Sequence, residues 1–381
     1  MANPFSDFFD SFLKKQGDTV LGIDIGSSSI KVVQLRRKNG RALLETYGEL
    51  ALGPYAGKSI GEATNLAPEK IIEALGDLLK EKEVNITTHV CGMAVPFSAS
   101  LMSVIELPAV PIKQLASMVP IEARKYIPVP ISEVALDWSL IPKDNNPEDG
   151  DNEEKPKTDA NGNPIPPKIE VLIVALHNDT ISRYKDIVAK NSLDATFFEI
   201  EIFSTMRSIL DQDTNPIMIV DIGATTTKLF IVERGILRSS HMINRGSQSI
   251  TNSLSKSLGL SVDDAEIIKR EKGMLGVANG IGIKDIITIT LDYIFTEANH
   301  IVLAYQKKYN KNIKKIVLVG GGSALKGIVD VAKKNFQTEV VGGDPFSKVI
   351  APAFLEKVLK ETGPEFAVAV GVALRRLQEL E

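Results

Sequence analysis

GIDIGSSSIKVVQL (residues 22–35) and IVDIGATTTKLFIV (residues 219–232) are one phrase written twice. Each holds Asp-Ile-Gly, three small residues, one further residue and a lysine, so Asp24, Gly26 and Lys31 align with Asp221, Gly223 and Lys228. An apolar run precedes each aspartate, and a rigid strand can aim the carboxylate. Gly26 and Gly223 let the backbone turn without a Cβ and bring N–H groups close to an anion. Ser27, Ser28 and Ser29 in the first copy, and Ala224, Thr225 and Thr226 in the second, fill the turn with small side chains, five of which carry hydroxyl donors. A lysine seven positions after the aspartate offers a point charge for phosphate. Asp24 and Asp221 facing each other would repel unless a cation stood between them, and Mg²⁺ held largely through its waters suits that place. The pair predicts two related domains closing on one phosphorylated ligand.

The segment after each loop excludes a common alternative. Asn39-Gly40 separates KVVQLRR from RALLETY, and Gly235 separates KLFIVER from ILRSSHMI. These are hairpin signals, so each phosphate loop joins strand to strand. A Rossmann unit would run strand, turn, helix. LGPYAGKS (52–59) nearly spells a P-loop, but Leu52 occupies the first glycine position and no clear buried strand precedes it, which marks a surface loop.

Composition narrows the class. A net charge of −4 gives no electrostatic footprint for nucleic acid. Cys91 is the lone cysteine, so no disulfide can form within the chain, and His89, His177, His241 and His300 lack metal-ligand spacing. No apolar run of membrane-spanning length and no signal peptide is read, which predicts a cytoplasmic protein.

Along the chain, Phe5, Phe8, Phe9, Phe12 and Leu13 sit at helical spacing in an amphipathic N-terminal segment, 1–16. Helices are expected at 67–80, 111–127, 179–191, 261–272 and within 285–308, and strands at 89–96 and 170–176. Residues 143–168 carry four lysines, seven acidic residues and five prolines, the composition of a flexible acidic insertion. KKIVLVGGGSAL (314–325) runs a strand into Gly320, Gly321 and Gly322, with Ser323 next and a helix beyond. Alone this is a tight turn; beside two phosphate loops it becomes a place for a nucleoside.

Two Asp-Ile-Gly hairpin loops followed by a late strand-Gly-Gly-Gly-helix resemble the actin-like ATPase superfamily, which includes actin, sugar kinases, heat-shock chaperones and FtsA. Within it, IEARKYIPVPISEVALDWSLI (121–141) and GGDPFSKV (342–349) are similar to the PilM family of type IV pilus assembly proteins. The resemblance covers nearly the whole chain and departs from the family in the length of the 143–168 insertion. It implies an α/β, actin-like (ribonuclease H-like) duplicated two-domain fold with an FtsA-like inserted subdomain. The first domain would take 17–96 plus 169–214, the inserted subdomain 97–168, and the second domain 215–381 with a helical subdomain at about 247–312.

The resemblance also implies roles. Asp24 and Asp221 would orient the waters of Mg²⁺. Gly26 through Ser29 and Gly223 through Thr226 would bind the phosphates of ATP, with Lys31 matching the phosphate lysine of actin. Gly320 to Ser323 would receive the adenosine, and Glu266 with Lys269 would contact the ribose. Lys228 stands where actin has a histidine near the attacking water. A protonated lysine is a poor base, and His177 is the remaining candidate, so hydrolysis is expected to be slow or absent. The function implied is an ATP-binding scaffold peripheral to the inner membrane, taking the cytoplasmic tail of PilN in a groove between the first domain and the inserted subdomain. The alternatives are an FtsA-like filament former and a small-molecule kinase. The kinase requires a carboxylate base in the cleft, and none is recognisable in 89–100.

Overall fold

The computed structural model describes residues 19–142, 167–211, 213–278 and 280–379. The N-terminal segment 1–16 and nearly all of the acidic insertion lie outside the described residues. The chain divides into two compact units, one spanning residues 98–182 and a larger one that takes the described residues on either side.

The larger unit opens with a meander of β1 (Thr19–Ile25), β2 (Ser29–Lys38) and β3 (Arg41–Ala51). Asn39 and Gly40 both have positive φ, 52° and 72°, as a two-residue hairpin matched to strand twist requires. Helix α1 (Pro68–Lys80) starts with proline in its first turn and buries Ala74, Leu75 and Leu78. β4 (Val90–Val95) then runs parallel to β1.

The chain next builds the smaller unit from β5 (Ser100–Pro108), α2 (Ile112–Ala123), β6 (Val134–Ile141) and β7 (Lys168–His177). β7 is the middle strand, antiparallel to β5 and β6. Leu115, Val119 and Ala123 of α2 pack against Ile105, Val171 and Ile173 of the sheet. The strand at 170–176, expected in the first domain, is therefore the centre of this small sheet. Its apolar run marks a buried strand without saying which sheet buries it.

Helix α3 (Asn178–Lys190) leads back into the larger unit, where β8 (Asp194–Ile200) lies parallel to β4 and α4 (Glu201–Ile209) comes after it. A second meander comes next: β9 (Ile217–Ile222), β10 (Thr227–Glu233) and β11 (Ile236–Ile243). Arg234 and Gly235 repeat the positive-φ hairpin, at 54° and 74°. Then come α5 (Ser247–Leu258), α6 (Val262–Lys272), the short pair β12 (Val277–Ala278) and β13 (Ile281–Gly282), and α7 (Lys284–Tyr309). β14 (Lys315–Val319) runs parallel to β9, α8 (Ile328–Asn335) crosses over, and β15 (Glu339–Gly342) runs parallel to β14.

The duplication is visible in strand order. The first sheet contains β3-β2-β1-β4-β8, and the second is β11-β10-β9-β14-β15. Both are a meander joined to two parallel strands. The last segment departs from a simple second domain. β16 (Val349–Ile350) pairs with β3, α9 (Glu356–Thr362) comes next, and α10 (Ala367–Glu379) buries Ala369, Val370, Ala373 and Leu374 in the core with Val20, Val33 and Leu35 of the first sheet. α7 is long and apolar enough, by length and composition, to cross a membrane. Its stripe of Ile287, Leu291, Ile294, Phe295 and Ala298 instead fills the core of the second sheet, at the spacing of an amphipathic core helix.

Candidate functional site

Register places the two repeated phrases identically. Asp24 at the end of β1 lies opposite Lys31 of β2, and Asp221 at the end of β9 lies opposite Lys228 of β10. In the first turn the Gly26 N–H donates to the Ser29 carbonyl, and in the second the Gly223 N–H donates to the Thr226 carbonyl, each at 2.9 Å. The loops meet: the Thr225 hydroxyl donates to Ser27 Oγ at 3.3 Å. Helix α5 starts directly behind the second loop, with the Ser247 and Gln248 N–H groups donating to the Gly223 and Ala224 carbonyls at 2.9 and 3.0 Å.

The charges do not stand open. Lys228 Nζ lies 2.6 Å from Glu201 Oε2 and 3.2 Å from Asp221 Oδ2. Burial works against the Lys228 ammonium, but Asp221 and Glu201 outweigh it and hold its pKa above the usual lysine value. Asp24 has no hydrogen-bond or ion-pair partner among the described residues. Burial, with Glu201 adding to it, pushes its carboxyl up to about 7 against the opposing pull of Lys31 and Lys228. Lys31 donates to Ser29 Oγ at 2.6 Å and pairs with Glu49 at 2.9 Å. Glu49 is its register partner on β3, so Asp24, Lys31 and Glu49 form one row across three strands. Near Glu49 stands Glu365, whose carboxyl is raised by burial and by Glu49.

The expected adenosine region is built mainly by packing. At Gly320, with φ +81°, a Cβ would lie 2.3 Å from Asp221 Oδ1, and at Gly322 it would lie 2.3 Å from Ile222 Cγ2. These two glycines let the β14 turn close on the second Asp-Ile-Gly loop. Gly321 is the exposed one, with Glu365 Oε2 as its nearest neighbour at 3.7 Å from an added Cβ. The Ser323 hydroxyl donates to the Gly320 carbonyl at 2.7 Å. Glu266 and Lys269 are buried, not a surface ion pair. Lys269 Nζ and the Thr251 hydroxyl both reach Glu266 Oε2 at 2.6 Å, and Arg270 Nε reaches Oε1 at 2.7 Å.

The fold thus gathers Asp24, Gly26 to Ser29, Lys31, Asp221 and Gly223 to Thr226 at one place, with Gly320 to Gly322 against the second loop. Glu266 and Lys269 join through Thr251 of α5. His177, the remaining candidate base from the sequence, ends β7 in the smaller unit, opposite Val134. The acid that stands beside the site is Glu201, in the first turn of α4, where a carboxylate is favoured by the helix dipole. Its Oε1 accepts from the Phe97 N–H at 2.6 Å. The sequence signal for it is a carboxylate directly after the strand DATFFEI, at the carboxyl end of a parallel strand where α/β sheets place ligands.

The small-residue loops, Gly321 and the hydroxyl and N–H donors fit a polyphosphate. The fit to a metal is narrower. Among the described residues no cluster of three His, Cys, Asp or Glu side chains forms a metal centre. Asp221 is engaged by Lys228, which supplies the positive charge anticipated between the carboxylates. Asp24 keeps oxygens free for metal-bound water.

A model of the family described as type IV pilus assembly protein PilM matches residues 22–154 and 158–377. The cell division protein FtsA of Neisseria meningitidis serogroup B is 26% identical over 202 residues, covering 46% of this chain and 48% of that protein. The chain thus aligns with about half the length of the curated relatives it matches. Among solved structures, the PilM-PilN type IV pilus biogenesis complex superposes with a TM-score of 0.74 at 22% identity, covering 94% of this chain and 98% of that one. MreB5 of Spiroplasma citri bound to ADP superposes at 0.53 with 11% identity, covering 95% and 98%. These structures share the actin-like fold, and the family match extends over nearly the whole chain, from the first Asp-Ile-Gly loop into the last helix. The chain belongs to the PilM family of type IV pilus assembly proteins.

Proposed function

We propose that this chain is the ATP-binding scaffold of the type IV pilus inner-membrane platform, cytoplasmic and held at the membrane by its partners. The observation that carries the nucleotide reading is the meeting of two matched Asp-Gly loops at the Thr225–Ser27 contact. Gly26 to Ser29 and Gly223 to Thr226 would hold the polyphosphate by backbone N–H and hydroxyl donors, and Gly321 would leave room for the nucleoside. Mg²⁺ would arrive with the nucleotide and neutralise its charge, with Asp24 orienting a bound water.

Hydrolysis is slow or absent in this reading. A general base needs a free lone pair near the reacting water. Lys228 is held protonated and has no lone pair to act as the base, and Glu201 is fixed in place by Lys228 and by the Phe97 N–H. Purified chain should release phosphate far more slowly than once per second. Release at several per second, lost in Asp221→Ala, would overturn the slow-turnover reading.

Family membership and the likeness to the PilM-PilN complex support the cytoplasmic tail of PilN as the partner. We place its recognition on the smaller unit, where α2 and the turn after it expose Ile112 (65%), Ile121 (64%) and Tyr126 (48%). Ile121 and Tyr126 lie near the end of α2, and Ile112 lies at its start on the opposite side of the helix, so they suit an extended tail with separate side-chain anchors. A synthetic tail peptide should be retained by the immobilised chain, and Ile112→Asp with Ile121→Asp should cut retention about 10-fold. Equal retention by the double variant would remove the tail from this surface.

A further inference from the structure

Segment 52–64, the stretch with the near-P-loop spelling, has a place in the structure that the proposed function leaves unused. Its two ends hang on the first phosphate loop: the Leu52 N–H donates to the Ser28 carbonyl at 2.9 Å and the Thr64 N–H to the Ser27 carbonyl at 2.8 Å. Between them the chain folds on itself. A tight turn spans Gly53–Ala56, the Lys58 N–H returns to the Gly53 carbonyl at 2.9 Å, and Lys58 Nζ reaches the Ala63 carbonyl at 3.1 Å. A compact surface loop whose ends lie together is an Ω-loop.

The C-terminal end of this loop also touches the second half of the duplication. The Ala63 N–H donates to Gln248 Oε1 at 3.2 Å, and the Gln248 N–H donates to the Ala224 carbonyl at 3.0 Å. With the Thr225–Ser27 contact at 3.3 Å, a closed ring results: first loop, segment 52–64, Gln248, second loop, first loop. A second contact reinforces it. Gly61 has φ +85°, and a Cβ there would lie 2.9 Å from Glu266 Oε1.

We propose that segment 52–64 is a strap that senses the state of the phosphate loops, with Gln248 as its positioning residue in the second half. The proposal rests on the ATP reading above. Ser27 and Ser28 hold the strap by their carbonyls and face the polyphosphate by their other donors. A change in spacing between the two loops therefore shifts the strap against Gln248. The strap apex carries that shift outward: Ile60 is 65% exposed, and Tyr55 reaches Asp77 of α1 at 2.7 Å.

Hydrogen exchange of the full chain, with and without ATP and Mg²⁺, tests this by comparing two peptides. Peptides covering 24–31 report the nucleotide, and peptides covering 58–64 report the strap. Nucleotide should slow exchange in both, with the Ala63 and Thr64 amides slowed about 10-fold. In Gln248→Ala the slowing at 58–64 should vanish while that at 24–31 persists. Gln248→Glu keeps an acceptor for the Ala63 N–H and should restore it. Slowing at 24–31 alone in the wild-type chain overturns the strap and leaves the nucleotide site standing. Slowing at 58–64 undiminished in Gln248→Ala also overturns it. No slowing in either peptide overturns the nucleotide reading and the strap with it. Should Gln248→Ala not fold, the wild-type comparison and Gln248→Glu still decide.

Discussion

Three carboxylates, Asp24, Asp221 and Glu201, surround one ammonium, Lys228, whose Nζ pairs with two of them at 2.6 and 3.2 Å. Three negative charges on one positive charge in a buried place leave one carboxyl unsatisfied, and Asp24 is that carboxyl, raised to about 7 by burial and by Glu201. Proton linkage sets the sign. Asp24 is protonated in the folded chain up to near pH 7, while in the unfolded chain it ionises near 4, so the folded state loses stability relative to the unfolded as pH rises between these values. Asp24→Asn should therefore stabilise the nucleotide-free chain by about 1–3 kcal/mol at pH 8, with the gain shrinking toward zero near pH 4. Thermal melting across that range checks it, and a gain that grows on acidification would contradict the assignment. Asp24, Asp221 and both lysines are legible in the sequence, because a motif repeated at fixed spacing is a local signal. Glu201 and Glu49 are not. Glu49 joins Lys31 only through the β2–β3 register, and Glu201 joins Lys228 across 27 residues of sequence.

Among the elements, the turn after β14 shows how one motif carries two readings. Gly-Gly-Gly reads as room for adenosine, yet Gly320 and Gly322 are glycines because the turn closes on Asp221 and Ile222. Gly321 alone is exposed, and a Cβ there would meet only ordinary contact with Glu365. Gly320→Ala, which brings a Cβ within 2.3 Å of Asp221 Oδ1 at a positive φ, should cost about 2–4 kcal/mol of stability. Gly321→Ala should change stability by less than about 0.5 kcal/mol. Chemical denaturation of the two variants checks this, and equal losses would show that Gly321 too is held by packing. The strands and most helices of the large unit are legible from apolar runs bounded by turn residues: 67–80 becomes Pro68–Lys80, and 261–272 becomes Val262–Lys272. Strand β7 is legible as a strand but not as part of the small sheet. Its apolar run is the same whether the neighbours are β5 and β6 or β1 and β4; only the backbone pairing decides.

Over the whole molecule, two sheets of the same strand order bring two copies of one loop together, and the chain ends by returning to the first sheet with β16 and α10. The duplication is visible in the repeated phrase. The return is not, since AVAVGVALRR reads as a buried helix wherever it docks. In the proposed function both loops grip one polyphosphate. Ser27 and Thr225 test that grip, because their hydroxyls lie where the loops meet. Calorimetric titration with ATP and Mg²⁺ should give one nucleotide per chain. Ser27→Glu and Thr225→Glu should each, alone, weaken binding by at least about 100-fold, since either places a carboxylate against the phosphates. Undiminished binding in either variant, or two nucleotides per chain, would contradict a shared grip.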